Sequence, residues 1–204
     1  MTRLALLRHL HARAGRGQGV VEFALVLPFL MLLVLGAIEF GFMFNSNISL
    51  EYASREGARV GSAIVNGGGP LGCPGDAQVA KVDPAIIEAV NRVLTSTGSP
   101  LVVSQVLEIR LFQADATGGE VAGKVNIWLP TPGTGPVVDG KALDFTQSTM
   151  GWNACSRTYL QPSPDSIGVG VRYLYRLQTP FANLFGMTTL TMYDKTIMAM
   201  NPTS

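Results

Sequence analysis

A chain of 204 residues that commits about forty to a membrane helix and its extension keeps roughly 140 for one modest folded domain, and a second is not expected. The formal net charge of +1 conceals an asymmetry, because Arg3, Arg8, Arg13 and Arg16 stand in an acid-free N-terminal stretch and leave eleven basic against fourteen acidic residues, net −3, for the rest. Four arginines beside a hydrophobic span mark the cytoplasmic side of a membrane rather than a nucleic-acid footprint, so no nucleic-acid partner is implied.

Residues 1–16 are basic and acid-free, like the n-region of an export signal. From 23 to 38 no residue is charged, and the hydrophobic stretch including Glu22 and Glu39 runs from 20 to 44. That exceeds the roughly 20 residues a helix needs to cross a bilayer. It also exceeds the apolar core of a cleavable secretory signal and lacks a small-x-small site behind it, so the span is expected to stay in the product. Pro28 removes one backbone donor inside the span and should kink it. Gly36, Ala37 and Gly41 place small residues late in it, a spacing that permits close approach of another helix.

Beyond Phe44 the composition turns polar without a breaker until Gly57. The helix is therefore expected to continue to about Val65 as a stalk, roughly 69 Å from residue 20 at 1.5 Å per residue. Glu51 with Arg55, and Glu56 with Arg59, stand at spacings that pair on a helix surface. Residues 66–78, NGGGPLGCPGDAQ, read as a Gly/Pro-rich hinge; no following Gly-Lys-Ser/Thr supports a phosphate loop. Asp83 and Pro84 are expected to open a second helix as N-cap and first-turn proline, with Ile86, Ile87, Val90, Val93 and Leu94 on its core face. The period then changes to two. Residues 101–113, 121–129, 167–178 and 187–200 read as strands in two hairpins, separated by an irregular connection over 130–166 whose role stays open. The expected fold is α+β: a long N-terminal transmembrane helix and stalk, then a small pilin-like domain with one helix on an antiparallel sheet of about four strands.

Positive-inside orientation puts Cys73 and Cys155 outside the cytoplasm, where two cysteines point to one disulfide. Its loop of 155 − 73 = 82 residues would contribute up to about 4 kcal/mol in the chain-entropy model. Two unpaired buried thiols remain the alternative. His9 and His11, the only histidines, lie on the opposite side of the membrane from both cysteines, so no Cys-His pair or histidine triad can form within one chain. The outer carboxylates Asp115, Glu120, Asp139, Asp144 and Asp165 lack calcium-loop spacing. No enzyme activity, cofactor or metal site is expected.

At Gly17 the pattern becomes specific. The run Gly17-Gln18-Gly19-Val20-Val21-Glu22, behind a basic leader and ahead of an apolar helix, resembles a type IV prepilin processing site. The longer string RGQGVVEFALVLP, the downstream IEFG and the segment ASREGAR resemble the TadE-like family, minor pseudopilins of tight-adherence (Flp) pilus systems. The two C-terminal strands fit the family loosely, with Asp194 the candidate for an acidic residue that members often carry near the end. The resemblance implies cleavage between Gly17 and Gln18 by a prepilin peptidase, with Glu22 becoming the fifth residue of the product. A glutamate buried in an apolar helix bundle costs several kcal/mol or protonates unless paired; in pilin-like assemblies the partner is a neighbour's N-terminal amine.

The expected organisation is a cytoplasmic leader over 1–17, a transmembrane helix and stalk over 18–65, and an extracytoplasmic domain over 66–204. Assembly contacts are expected from Glu22, Pro28, Glu39, Arg55, Glu56, Gly57 and Arg59, with Glu39 capping the span at its outer interface. The implied partners are the prepilin peptidase, other pilins or pseudopilins, the inner-membrane assembly platform and the lipid bilayer. The rival reading is a membrane-tethered extracytoplasmic enzyme or ligand-binding module.

Overall fold

In the computed structural model of the chain the described residues are 3–65, 79–160, 162–180 and 186–201, with side chains described from residue 17 onward. The expected hinge at 66–78, and Cys73 with it, lie outside them. The chain divides into two units, Met1–Gly41 with Leu177–Thr188, and Phe42–Arg176 with Thr189–Ser204.

The first helix, α1, spans Arg3–Ile64 and contains Pro28. Its first unit portion is rich in Leu, Phe and Met, which lose little freedom in a helix or pack well on one, so losing one hydrogen bond at Pro28 does not end it. The helix ends where Val65 turns left-handed at φ 39, its amide still bonded to the Gly61 carbonyl at 3.3 Å. Glycine usually fills such a position; here the side chain of Val65 is 1% exposed, so its burial offsets the strain.

The second unit is a five-stranded antiparallel sheet in the order β5-β2-β1-β6-β7, formed by β1 (Val106–Ala114), β2 (Glu120–Pro130), β5 (Phe145–Met150), β6 (Ser166–Arg176) and β7 (Thr189–Ala199). A short ribbon pairs β3 (Val137–Val138) with β4 (Lys141–Ala142). The expected four strands are present, and β5 makes a fifth. It forms inside the connection read as irregular, pairing with β2 from Pro130↔Phe145 to Asn126↔Met150. Its sequence, FTQSTM, has only one large apolar residue turned inward, which is why period-two patterning did not reveal it.

Register defines one buried sheet face. Ile109 pairs with Val171, Leu111 with Val169 and Gln113 with Ile167, while Asp194, Thr196 and Met198 stand opposite Val171, Val169 and Ile167 on β7. This face is covered by the C-terminal part of α1 and by α2 (Val79–Leu94). Ile86, Ile87, Val90 and Leu94 of α2 are at most 1% exposed, and Glu88 pairs with Arg92 on its outer side. Burying four such side chains stabilises the unit by about 1.5–3 kcal/mol each.

Asp83 and Pro84 do not start α2, which begins at Val79. Asp83 is instead buried inside the helix, its carboxylate engaged by Arg157 and Asn126 rather than by its own first turn. A bulge between Val106 and Glu108 also shifts the expected alternation at the start of β1, leaving Leu107 exposed.

Candidate functional site

The expected processing segment lies at the start of the described side chains of α1. Gly17, Gln18 and Glu22 are exposed, and the Gln18 side-chain amide donates to Glu22 Oε1 at 3.1 Å, one helical turn away. Among the described residues a Cβ at Gly17 or Gly19 would meet nothing within 4 Å, so no packing among them demands glycine there. Downstream, Val20, Phe23, Leu25, Phe29 and Leu33 are all at least 60% exposed, and Pro28 lies among exposed neighbours. Only 6% of the most apolar window of Gly17–Ile64 is buried in the chain itself. A core helix of a water-soluble protein buries its apolar side chains; this one presents them outward all round, and it is long and apolar enough to cross a bilayer.

Glu39 breaks that pattern. It is 6% exposed, and its carboxylate accepts backbone hydrogen bonds from Gln178 (3.1 Å to each oxygen) and Thr179 (2.8 Å), both in the Leu177–Thr188 part of the same unit. The sequence reading had Glu39 capping the span at an interface. The fold gives it specific donors as well, delivered from 140 residues downstream, a separation no local pattern can encode.

In the second unit, Arg55 pairs with Glu51 and Arg59 with Glu56, the latter through Nη2 at 2.6 Å and Nε at 2.9 Å. The Arg59 hydrogen bond, reinforced by its charge, holds the Glu56 carboxyl below the usual range. Arg55 and Arg59 are well exposed, so these pairs contribute little to stability. Gly57 is the contrary case. A Cβ there would stand 2.6 Å from Val90 Cγ2 and 3.0 Å from Val169 Cγ1, and one at Gly61 would stand 2.7 Å from Ile167 Cδ1. The two glycines let α1 lie directly against α2 and β6.

Two buried polar clusters were missed by the sequence reading. Arg157, fully buried, donates through Nη2 to Asp83 Oδ1 at 2.6 Å and to the Trp152 carbonyl at 3.2 Å, with its guanidinium 4.6 Å from the Trp152 ring centre. Asn126 completes the set, donating to Asp83 Oδ2 (2.6 Å) and to the Trp152 carbonyl (2.8 Å) while accepting from the amides of Gly151 (2.9 Å) and Trp152 (2.7 Å). The long connection thus acts as a core plug. Ser54 of α1, likewise buried, bonds Asp194 and lies 2.8 Å from Thr196 Oγ1 on β7. Asp194 was singled out only through the family pattern, and Ser54 gave no signal at all in a helix of small polar residues.

Cys155 sits in a 3-10 turn at Ala154–Ser156, half-buried, and no free cysteine stands among the described residues. Among those residues no group of three His, Cys, Asp or Glu could hold a metal ion. A shallow groove is lined by Ser49, Tyr52, Arg92, Val93 and Ser96–Ser99.

Residues 17–59 match the family model of the TadE-like protein family. No curated protein and no solved structure matches the chain. The family match ends within α1, so the sheet and the Asp83–Arg157–Asn126 cluster stand outside it, while Ser54 lies within it.

Proposed function

We propose that the chain carrying this TadE-like segment is a minor pseudopilin-like subunit for assembly of a tight-adherence (Flp/type IV-like) pilus or a related secretion machinery. It is inserted in the cytoplasmic membrane with its N-terminus inside, as the four leader arginines favour. Residues 18–65 form the membrane helix and stalk, and residues 66–204 the extracytoplasmic domain. One observation carries the reading: the family match begins at Gly17, and the helix that follows exposes uncharged apolar side chains on every side.

Cleavage after Gly17 by a prepilin peptidase would break the Gly17–Gln18 peptide bond with water and leave a protonated amine on Gln18. Glu22 lies one turn further and already meets the Gln18 side chain, so carboxylate and new amine occupy the same end of the helix. When helices associate in the bilayer, the Glu22 charge is lost from water and needs a cationic partner. A neighbouring subunit's amine supplies one, coupling processing to assembly. The exposed glycines 17 and 19 support recognition from outside the chain, since no described residue packs against them.

Intact-mass measurement of the membrane form tests the reading. The expected N-terminus is Gln18; an N-terminus at Met1 in cells with an active peptidase would overturn processing. Replacing the span with an unrelated one separates this function from that of a tethered enzyme or binding module: assembly should be lost although insertion is retained.

A further inference from the structure

We propose that residues 177–180 and 186–188, in the connection between β6 and β7, are a second membrane contact that rests in the outer margin of the bilayer beside the span. The proposal rests on the reading of α1 as a membrane helix, and three observations carry it.

The first is depth. Counting from Glu22, a hydrocarbon layer of about 30 Å takes up about 20 residues of helix and ends near residue 42. Glu39 therefore lies inside the apolar layer, roughly 4–5 Å below its outer limit at 1.5 Å per residue. An ionised carboxylate at that depth persists only if fully hydrogen-bonded. The amides of Gln178 and Thr179 provide three such bonds, so those amides share its depth.

The second is composition. Arg176 and Asp194 bracket a run, residues 177–193, with no charged side chain. Within it Pro180 is exposed and Met187 is 58% exposed. A water-facing connection is normally rich in charge; the composition of this run matches that of the span, where Phe40 is 67% exposed one residue beyond Glu39.

The third is backbone economy. The Leu177 amide bonds the Thr188 carbonyl at 3.1 Å, which closes the two arms on each other. Together with the Glu39 bonds, this satisfies several of the groups that would otherwise forbid a loop in an apolar layer.

Depth-resolved fluorescence quenching tests the proposal on the full chain in phosphatidylethanolamine/phosphatidylglycerol vesicles, with and without bromine on the acyl chains near the headgroup. Tryptophan is introduced singly by Phe29→Trp in the span, Met187→Trp and Pro180→Trp in the arms, and Met150→Trp on β5. Emission from Trp128 and Trp152 is subtracted using the unaltered chain. The expected result is quenching in Phe29→Trp, and quenching in Met187→Trp and Pro180→Trp at least twofold greater than in Met150→Trp. If Phe29→Trp is not quenched, the span reading fails and this proposal with it. If Phe29→Trp is quenched while both arm reporters match Met150→Trp, the second contact is overturned and the span stands. Two arm positions guard against misfolding at either one.

Discussion

Arg157 has no exposed surface, and among the described residues its Nε and Nη1 meet no hydrogen-bond acceptor, so its charge depends on Asp83 and the Trp152 carbonyl. Removing the acid alone should leave that charge stranded. Asp83→Ala is expected to lower stability by about 3–5 kcal/mol, and Asp83→Leu combined with Arg157→Met by clearly less; urea unfolding followed by tryptophan emission, with Trp152 against the guanidinium, reads both. On the opposite sheet face Arg110 donates to Glu120 (2.9 and 2.5 Å), while Glu108 bonds both Arg110 and Arg172. The Arg110 hydrogen bond holds the Glu120 carboxyl below its usual value, against opposing desolvation. A depressed folded pKa gives stability that is present above the unfolded value of about 4.3 and lost as pH falls through the folded one. Glu120→Gln should therefore flatten the fall in urea midpoint below about pH 4.3, a change of about 1 kcal/mol for a partly exposed pair. None of these partnerships was legible beforehand: Asp83 looked like an N-cap because the Asp-Pro pair commonly opens a helix, and the guanidinium that claims it lies 74 residues on.

At the scale of elements, glycine in α1 has two different meanings. Gly57 and Gly61 leave no room for a side chain, and the atoms in the way belong to Val90, Val169 and Ile167, whose β-branched side chains have little rotamer freedom to yield. Alanine would improve helix propensity by about 1 kcal/mol, but overpacking costs about 1–3 kcal/mol. The balance for Gly57→Ala is a modest loss and for Gly57→Val a large one, read as a fall in Tm. Gly17→Ala should leave Tm unchanged, because its Cβ would meet no described residue, and should impair removal of the leader if a peptidase reads that position; intact mass decides. Glu39 joins two elements that the sequence presents separately. Glu39→Gln keeps an acceptor for the Gln178 and Thr179 amides, whereas Glu39→Leu leaves them without it. Hydrogen exchange at those two amides should accelerate at least tenfold in Glu39→Leu and less in Glu39→Gln. The 3.6-residue period of α2 and the two-residue period of β1, β2, β6 and β7 were readable in advance, since each element buries one face along its own length. β5 escaped because it borrows its order from β2.

For the whole molecule, the open question at Cys155 is its partner. Cys73 is the only other cysteine, and we propose that the two pair, closing the 82-residue loop (155 − 73) across α2 and strands β1 to β5. Alkylation before and after reduction should add two labels only after reduction, and Cys155→Ser should lower stability by about 2–4 kcal/mol. What the sequence by itself determined are the properties that depend on neighbours along the chain: the apolar length of α1, the basic N-terminal stretch, the Gly17 to Glu22 run, and the α+β order of helices before strands. Each is a matter of local spacing and composition, so a one-dimensional reading recovers it. What only the tertiary structure decided are the polar partnerships of Glu39 with the 178–179 amides, Asp83 with Arg157, and Ser54 with Asp194, together with the steric need for Gly57 and Gly61. Those depend on which surfaces meet once apolar burial has folded the chain, and a buried charge takes whichever donor that meeting brings within about 3 Å.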